Sequence, residues 1–117
     1  MLAELLRRYP LDAPAIHAAV APWTIAHIGP SAIRSAVELV LDADGRRLVV
    51  AIEARASGGA YLVATRDVQL SYYADPTTDH AGAAAVVRAL AAALAGFETG
   101  AAPRRLPIAP IDRKSTV

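Results

Sequence analysis

Asp44-Gly45 stands between two runs in which large apolar residues alternate with polar or small ones, and that arrangement prescribes a β-hairpin. From Ile33 to Leu41, the residues Ile33, Val37, Leu39 and Leu41 alternate with Arg34, Ser35, Ala36 and Glu38. From Arg47 to Arg55, Leu48, Val50, Ile52 and Ala54 share one face, and Val49, Ala51 and Glu53 share the other. Between the runs lies Asp42-Ala43-Asp44-Gly45, whose Asp-Gly pair supplies the positive φ that a tight two-strand connection needs.

Two further strands are expected around this hairpin. After the turn signal Ser57-Gly58-Gly59, alternation resumes from Tyr61 to Tyr73, with Leu62, Ala64, Val68, Leu70 and Tyr72 on one side. Thr65, Asp67, Gln69, Ser71 and Tyr73 lie on the other, and Arg66 interrupts the apolar face as a bulge would. One side of the sheet is therefore dry and the other meets water. Trp23 to Ile28 reads as a short strand closed by Gly29-Pro30, and Pro22 assigns it to an edge.

Helices are expected before and after the sheet. Leu2, Leu5, Leu6 and Tyr9 recur at helical spacing until Pro10, and Asp12-Ala13-Pro14 offers an N-cap and a first-turn proline for a second short helix over 13–21. Asp75-Pro76-Thr77-Thr78-Asp79 ends the sheet and caps the last helix, over roughly 79–97. There Ala83, Val86, Val87, Leu90, Leu94 and Phe97 form a stripe. Val86, Leu90, Leu94 and Phe97 are expected to close the dry face, each contributing roughly 1.5–3 kcal/mol before entropy. The fold class is α+β: a three- to four-stranded antiparallel meander with short N-terminal helices and a C-terminal helix packed on one face. Residues 1–98 form one domain. Residues 99–117, with Pro103, Pro107, Pro110 and paired basics but no periodicity, form an extended tail.

Composition narrows the function classes. Cysteine is absent, which excludes disulfides and thiolate zinc sites and fits a cytoplasmic setting. The net charge of +1 points to neither nucleic acid nor a membrane surface as partner. Met1 to Arg8 lacks the apolar core of a secretory signal, so the chain is expected to begin the mature protein. His17, Pro22, His27 and Pro30 break the uncharged stretch that precedes Arg34, and no membrane span is expected.

Catalytic signals are weak. His17, His27 and His80 fall on three different elements without metal-ligand spacing. Asp79-His80 are neighbours on a helix start and point in different directions, so capping explains them better than a base with its orienting carboxylate. Ser57-Gly58-Gly59 lacks the helix start and lysine of an anion loop, and Asp42 and Asp44 lack the distal glutamate of a calcium loop. No catalytic residue, cofactor or metal is expected.

Three features point instead to a protein partner or self-association. The outer face of the last helix carries Ala81, Ala84, Ala85, Ala92 and Ala95 with Arg88 as its only charge, where a solvent face ordinarily carries several. Tyr61, Tyr72, Tyr73 and Trp23 gather on or beside the sheet; Tyr72 shares the apolar face and belongs to the core, and Tyr73 is the surface candidate. In the tail, Leu106 and Ile108 sit between prolines on a segment able to lie in a groove. The function expected is a non-catalytic protein-interaction or accessory module, homo-oligomeric (a homodimer in the simplest case) or part of a larger assembly. An alternative is a small-molecule-binding or catalytic pocket between sheet and last helix, lined by Trp23, His27, Arg66 and Tyr73. A further alternative is a peptide-recognition domain that partners a modifying enzyme and binds by strand addition.

Overall fold

A computed structural model describes residues 2–32, 35–55, 63–75 and 78–100. The elements run α1 (Leu2–Arg8), α2 (Pro14–Val20), β1 (Thr24–Pro30), β2 (Val37–Ala43), β3 (Arg46–Ala54), β4 (Val63–Ala64), β5 (Val68–Ala74) and α3 (His80–Gly100). The five strands form one antiparallel sheet in the order β1-β2-β3-β5-β4, and the α+β class read from the sequence holds.

The Asp-Gly hairpin forms where expected. Ala43 pairs with Arg46, leaving a two-residue loop in which Asp44 has φ 51° and Gly45 φ 77°. Both signs match the right-handed twist of the flanking strands, and only glycine takes the second position without strain. β2 starts at Val37; Ile33 and Arg34 lie outside the described residues, as do Ser57-Gly58-Gly59, Tyr61 and Leu62.

The stretch expected to run unbroken to Tyr73 is divided. Thr65, Arg66 and Asp67 make a turn between β4 and β5, so Arg66 sits at a hairpin tip and not at a bulge. Thr65 directs this turn: its amide donates to the Val68 carbonyl at 2.8 Å, and its hydroxyl accepts from the Val68 amide at 3.1 Å. A hydroxyl residue that satisfies backbone groups in this way competes successfully with strand pairing. The bulge lies in β1, where the register shifts between Ile25 and His27.

The core lies on one side of the sheet. Leu39 and Leu41 of β2, Leu48, Val50 and Ile52 of β3, and Val68 and Leu70 of β5 meet Tyr9, Leu11, Ile16 and Val20 from the N-terminal segment, together with Ala83, Val87, Leu90 and Leu94 from α3. Of the four large residues assigned to the α3 stripe, Leu90 and Leu94 are fully buried, whereas Val86 and Phe97 are half-buried at its margins. The buried line runs through Ala83, Val87, Leu90, Ala91 and Leu94, so small alanines bring the helix close to its neighbours.

Two caps differ in kind. Asp79 caps α3 as its sequence suggests, its carboxylate accepting from the Ala81 amide at 3.1 Å. The N-cap of α2 is Ala13, which makes no side-chain cap bond, so Asp12 does not serve there; Pro14 in the first turn fixes the helix start instead. Over His80–Glu98, α3 is long and apolar enough by length and composition to cross a membrane, with a mean hydropathy of 1.5. Here its apolar stripe is the one that covers the sheet.

Candidate interaction surface

Strand register places one continuous row of residues across the sheet face opposite the helices. His27 of β1 pairs with Val40 of β2, Val40 with Val49 of β3, and Val49 with Tyr73 of β5. Each of these alternates with a core residue, Val40 with Leu39 and Leu41, Val49 with Leu48 and Val50, so each projects away from the helical layer. Val40 and Val49 are half-buried by their neighbours, His27 is exposed, and Tyr73 is 40% exposed.

The row is bordered differently on its two sides. Toward the Asp44-Gly45 turn, Asp42 and Arg47 are register partners, joined by an Arg47 Nε bond to Asp42 Oδ1 at 2.9 Å. The Arg47 guanidinium holds the Asp42 carboxyl below the ordinary aspartate range. On the other side come Glu38, Ala51 and Ser71, then Glu53 and Gln69, whose amide donates to the Glu53 carboxylate at 2.7 Å. Ala51 and Gln69 are buried, whereas Ser71 is exposed and Glu38 and Glu53 are half-buried, so the accessible face includes the His27–Tyr73 row, its Asp42–Arg47 border and these three polar residues.

Gly29 keeps the row low. A Cβ at this position would stand 2.7 Å from His27 Nε2, so the Nε2 end of the imidazole leans over the glycine. Gly29 pairs with Glu38, one step along the same outward face.

The alanine face of α3 is also open, with Ala81, Ala85, Arg88 and Ala92 exposed and Ala84 and Ala95 half-buried. Leu106 and Ile108 lie outside the described residues. The four side chains assigned to an alternative pocket are separated by the fold. Trp23 is buried with the core, His27 and Tyr73 lie on the opposite sheet face with two strands between them, and Arg66 is at the β4–β5 turn, 3.2 Å from Asp67.

Trp23 does border two clefts. One of about 400 Å³ is lined by Pro22, Trp23, Thr24, Asp42, Asp44 and Arg46, and one of about 220 Å³ by Trp23, Arg46, Thr78, Asp79, Gly82 and Val86. Arg46 lines both, its guanidinium 5.5 Å from the centre of the Trp23 ring.

One buried polar cluster escaped the sequence reading. Glu98, only 3% exposed in the last turns of α3, accepts from the Tyr9 hydroxyl at 2.5 Å and the Thr65 hydroxyl at 2.6 Å. Burial works to raise its carboxyl, but these two donors and the Asp67 amide outweigh that and hold it below the ordinary glutamate range. The same burial and the adjacent carboxylate push the Tyr9 hydroxyl upward. Arg8 stands at the edge of the cluster, bonded to Asp67. The hydrogen bonds of the buried carboxylate tie Tyr9, the β4–β5 turn and α3 together. Among the described residues no three His, Asp or Glu side chains converge to hold a metal ion. Comparison of the chain with protein-family models, curated proteins and solved structures gives no match.

Proposed function

We propose that this domain is a non-catalytic protein-interaction module that docks through the helix-free face of its sheet. The observation that carries the reading is the His27–Val40–Val49–Tyr73 row, an aromatic and two β-branched residues aligned across four strands with a charged border. An exposed tyrosine beside aliphatic side chains and a polar rim is the composition of an interface centre, and isolated exposed apolar residues need no such alignment.

Strand addition has less support. β1 carries a register shift and ends at Pro30, devices that blunt an edge against pairing.

A photo-crosslinking residue in place of Tyr73 tests the reading in cells of the source. A protein adduct that disappears when Val49→Glu is added supports it. No adduct from position 73, or one indifferent to position 49, overturns it.

A second reading rests on the Trp23–Arg46 clefts, which combine an aromatic face with a cation and suit a small planar or anionic ligand. Trp23 is the only tryptophan, so its fluorescence reports on this site without labelling. A ligand that shifts this emission, with the shift lost in Arg46→Ala, would establish it.

A further inference from the structure

We propose that the occupant of the open sheet face is a second copy of this chain, related by a two-fold axis that runs parallel to the strands between β2 and β3. The inference rests on the interaction reading above and adds the partner and the geometry.

The four strands β1, β2, β3 and β5 are each seven to nine residues long, and β2 and β3 are the central pair. A two-fold axis along this midline preserves position along the strand and exchanges left for right. It therefore sets each residue of β2 against its own register partner on β3 of the second copy, and each residue of β1 against β5. The register fixes the consequences. Val40 meets Val49, His27 meets Tyr73, and Asp42 meets Arg47, each contact occurring twice.

The Asp42–Arg47 border of this face is complementary to itself in charge, while Glu38 meets Ala51 of the second copy. Asp42 and Arg47 are the charged pair bordering the exposed row, their side chains 41% and 63% exposed. Facing sheets pack about 10 Å apart, a gap that an arginine reaching toward an aspartate spans. The two intrachain pairs then become a four-membered ring with alternating signs. No other arrangement of two such faces along the strands gives this: sliding one copy by a pair of residues places Arg47 and Asp42 over Val40 and Val49, and leaves each charge only its intrachain partner against an apolar surface.

Shape agrees with charge. The His27 imidazole leans along β1 with its Nε2 end over Gly29, which has no side chain of its own to hold the sheets apart. Four strands at about 4.8 Å and seven residues at about 3.3 Å give a flat footprint of roughly 19 by 23 Å before side-chain relief, which places the contact at the smaller end of specific interfaces. Measurements should therefore extend from micromolar to millimolar protein.

Charge reversal supplies the test, with sedimentation velocity on the full chain as the readout. The wild type is expected to be a reversible dimer. Asp42→Arg places arginine against arginine twice, and Arg47→Asp places aspartate against aspartate twice; each alone is expected to weaken dimerisation at least tenfold. An equimolar mixture of the two variants is expected to form a heterodimer as tight as the wild type, within about threefold, because every facing pair is then opposite in sign. The mixture does not restore either intrachain pair, so recovery cannot come from repaired folding. Tyr73→Ala, at an exposed position, is expected to weaken dimerisation at least tenfold and serves if a charge variant fails to fold. A wild type that is monomeric up to millimolar concentration, single variants that dimerise like the wild type, or a mixture that stays monomeric would each overturn the proposal. A monomeric wild type whose position-73 adduct contains a different protein would overturn self-pairing and leave the interaction surface standing.

Discussion

The Tyr9 hydroxyl donates to the Glu98 carboxylate at 2.5 Å, joining residues 89 positions apart in a site where both are almost fully buried. Tyr9 follows α1, Glu98 lies in the last turns of α3, and Thr65 adds the β4–β5 turn to the same carboxylate. Three segments that share no strand pairing with one another are thus fixed by one acceptor. No cation bonds directly to this carboxylate among the described residues; hydroxyl and amide donors satisfy it. That arrangement makes the ionised form dependent on each donor.

Tyr9→Phe removes one donor and leaves the ring. The carboxylate then remains buried with an acceptor position unfilled, and stability is expected to fall by about 1–3 kcal/mol. Urea unfolding of the two proteins checks this. A midpoint unchanged by the substitution would show that water replaces the phenol.

The two ends of the pair respond to opposite extremes of pH. Glu98 is held below its unfolded value, so its contribution is present above about pH 4.5 and is lost as the pH falls toward the folded value. Tyr9 is raised above its unfolded value, so its contribution is present below about pH 10 and is lost as the pH rises beyond that. A melting-temperature profile is expected to decline at both ends. Glu98→Gln should flatten the acid limb and Tyr9→Phe the alkaline limb. Asp42 and Asp67, both lowered by arginine partners, keep part of the acid limb in either variant.

What could be read from the sequence was what depends on nearest neighbours. Period-two alternation located β2 and β3, and Asp44-Gly45 located their turn, because the pleat and the φ requirement act over a few residues. Tyr73 was identified as outward-facing for the same reason. The row it belongs to could not be found, since its assembly from His27, Val40, Val49 and Tyr73 requires the register of three strand pairs, including a one-residue shift in β1. The Glu98 cluster was hidden more completely. A glutamate near a helix end ordinarily reads as solvated, and only the third dimension brings Tyr9 and Thr65 to it. A weak signal existed: Thr65 falls on an otherwise polar strand face just where Arg66 interrupts the alternation.

The His27–Gly29 contact makes a coupled prediction. Gly29→Ala forces the imidazole, the far end of a mobile side chain, to move, and the expected cost is below about 1 kcal/mol. In a His27→Ala background the clash is absent, and the same change should be neutral or slightly stabilising, because alanine loses less backbone entropy than glycine. A double-mutant cycle by chemical denaturation measures the difference. Equal effects in both backgrounds would mean that the ring does not rest on Gly29.

The position of α3 is tested by truncating two valines that are adjacent in sequence. Val86 and Val87 fit a helical apolar stripe equally well, and sequence spacing alone assigns a covering role to the first. In the structure Val87 is fully buried between sheet and helix layers, whereas Val86 is half-buried beside the Trp23–Arg46 cleft. Removing two methyl groups from Val87 deletes core contacts and leaves a void that rigid strands cannot fill, at an expected cost of about 2–3 kcal/mol. The same truncation at Val86 enlarges a cleft already open to water, so less than about 1 kcal/mol is expected, partly offset by the higher helix propensity of alanine. Thermal unfolding of Val86→Ala and Val87→Ala under identical conditions decides between the two orientations. If Val86→Ala were the more damaging, α3 would have to be rotated by about 100° about its axis, and Leu90 and Leu94 would no longer share its buried side.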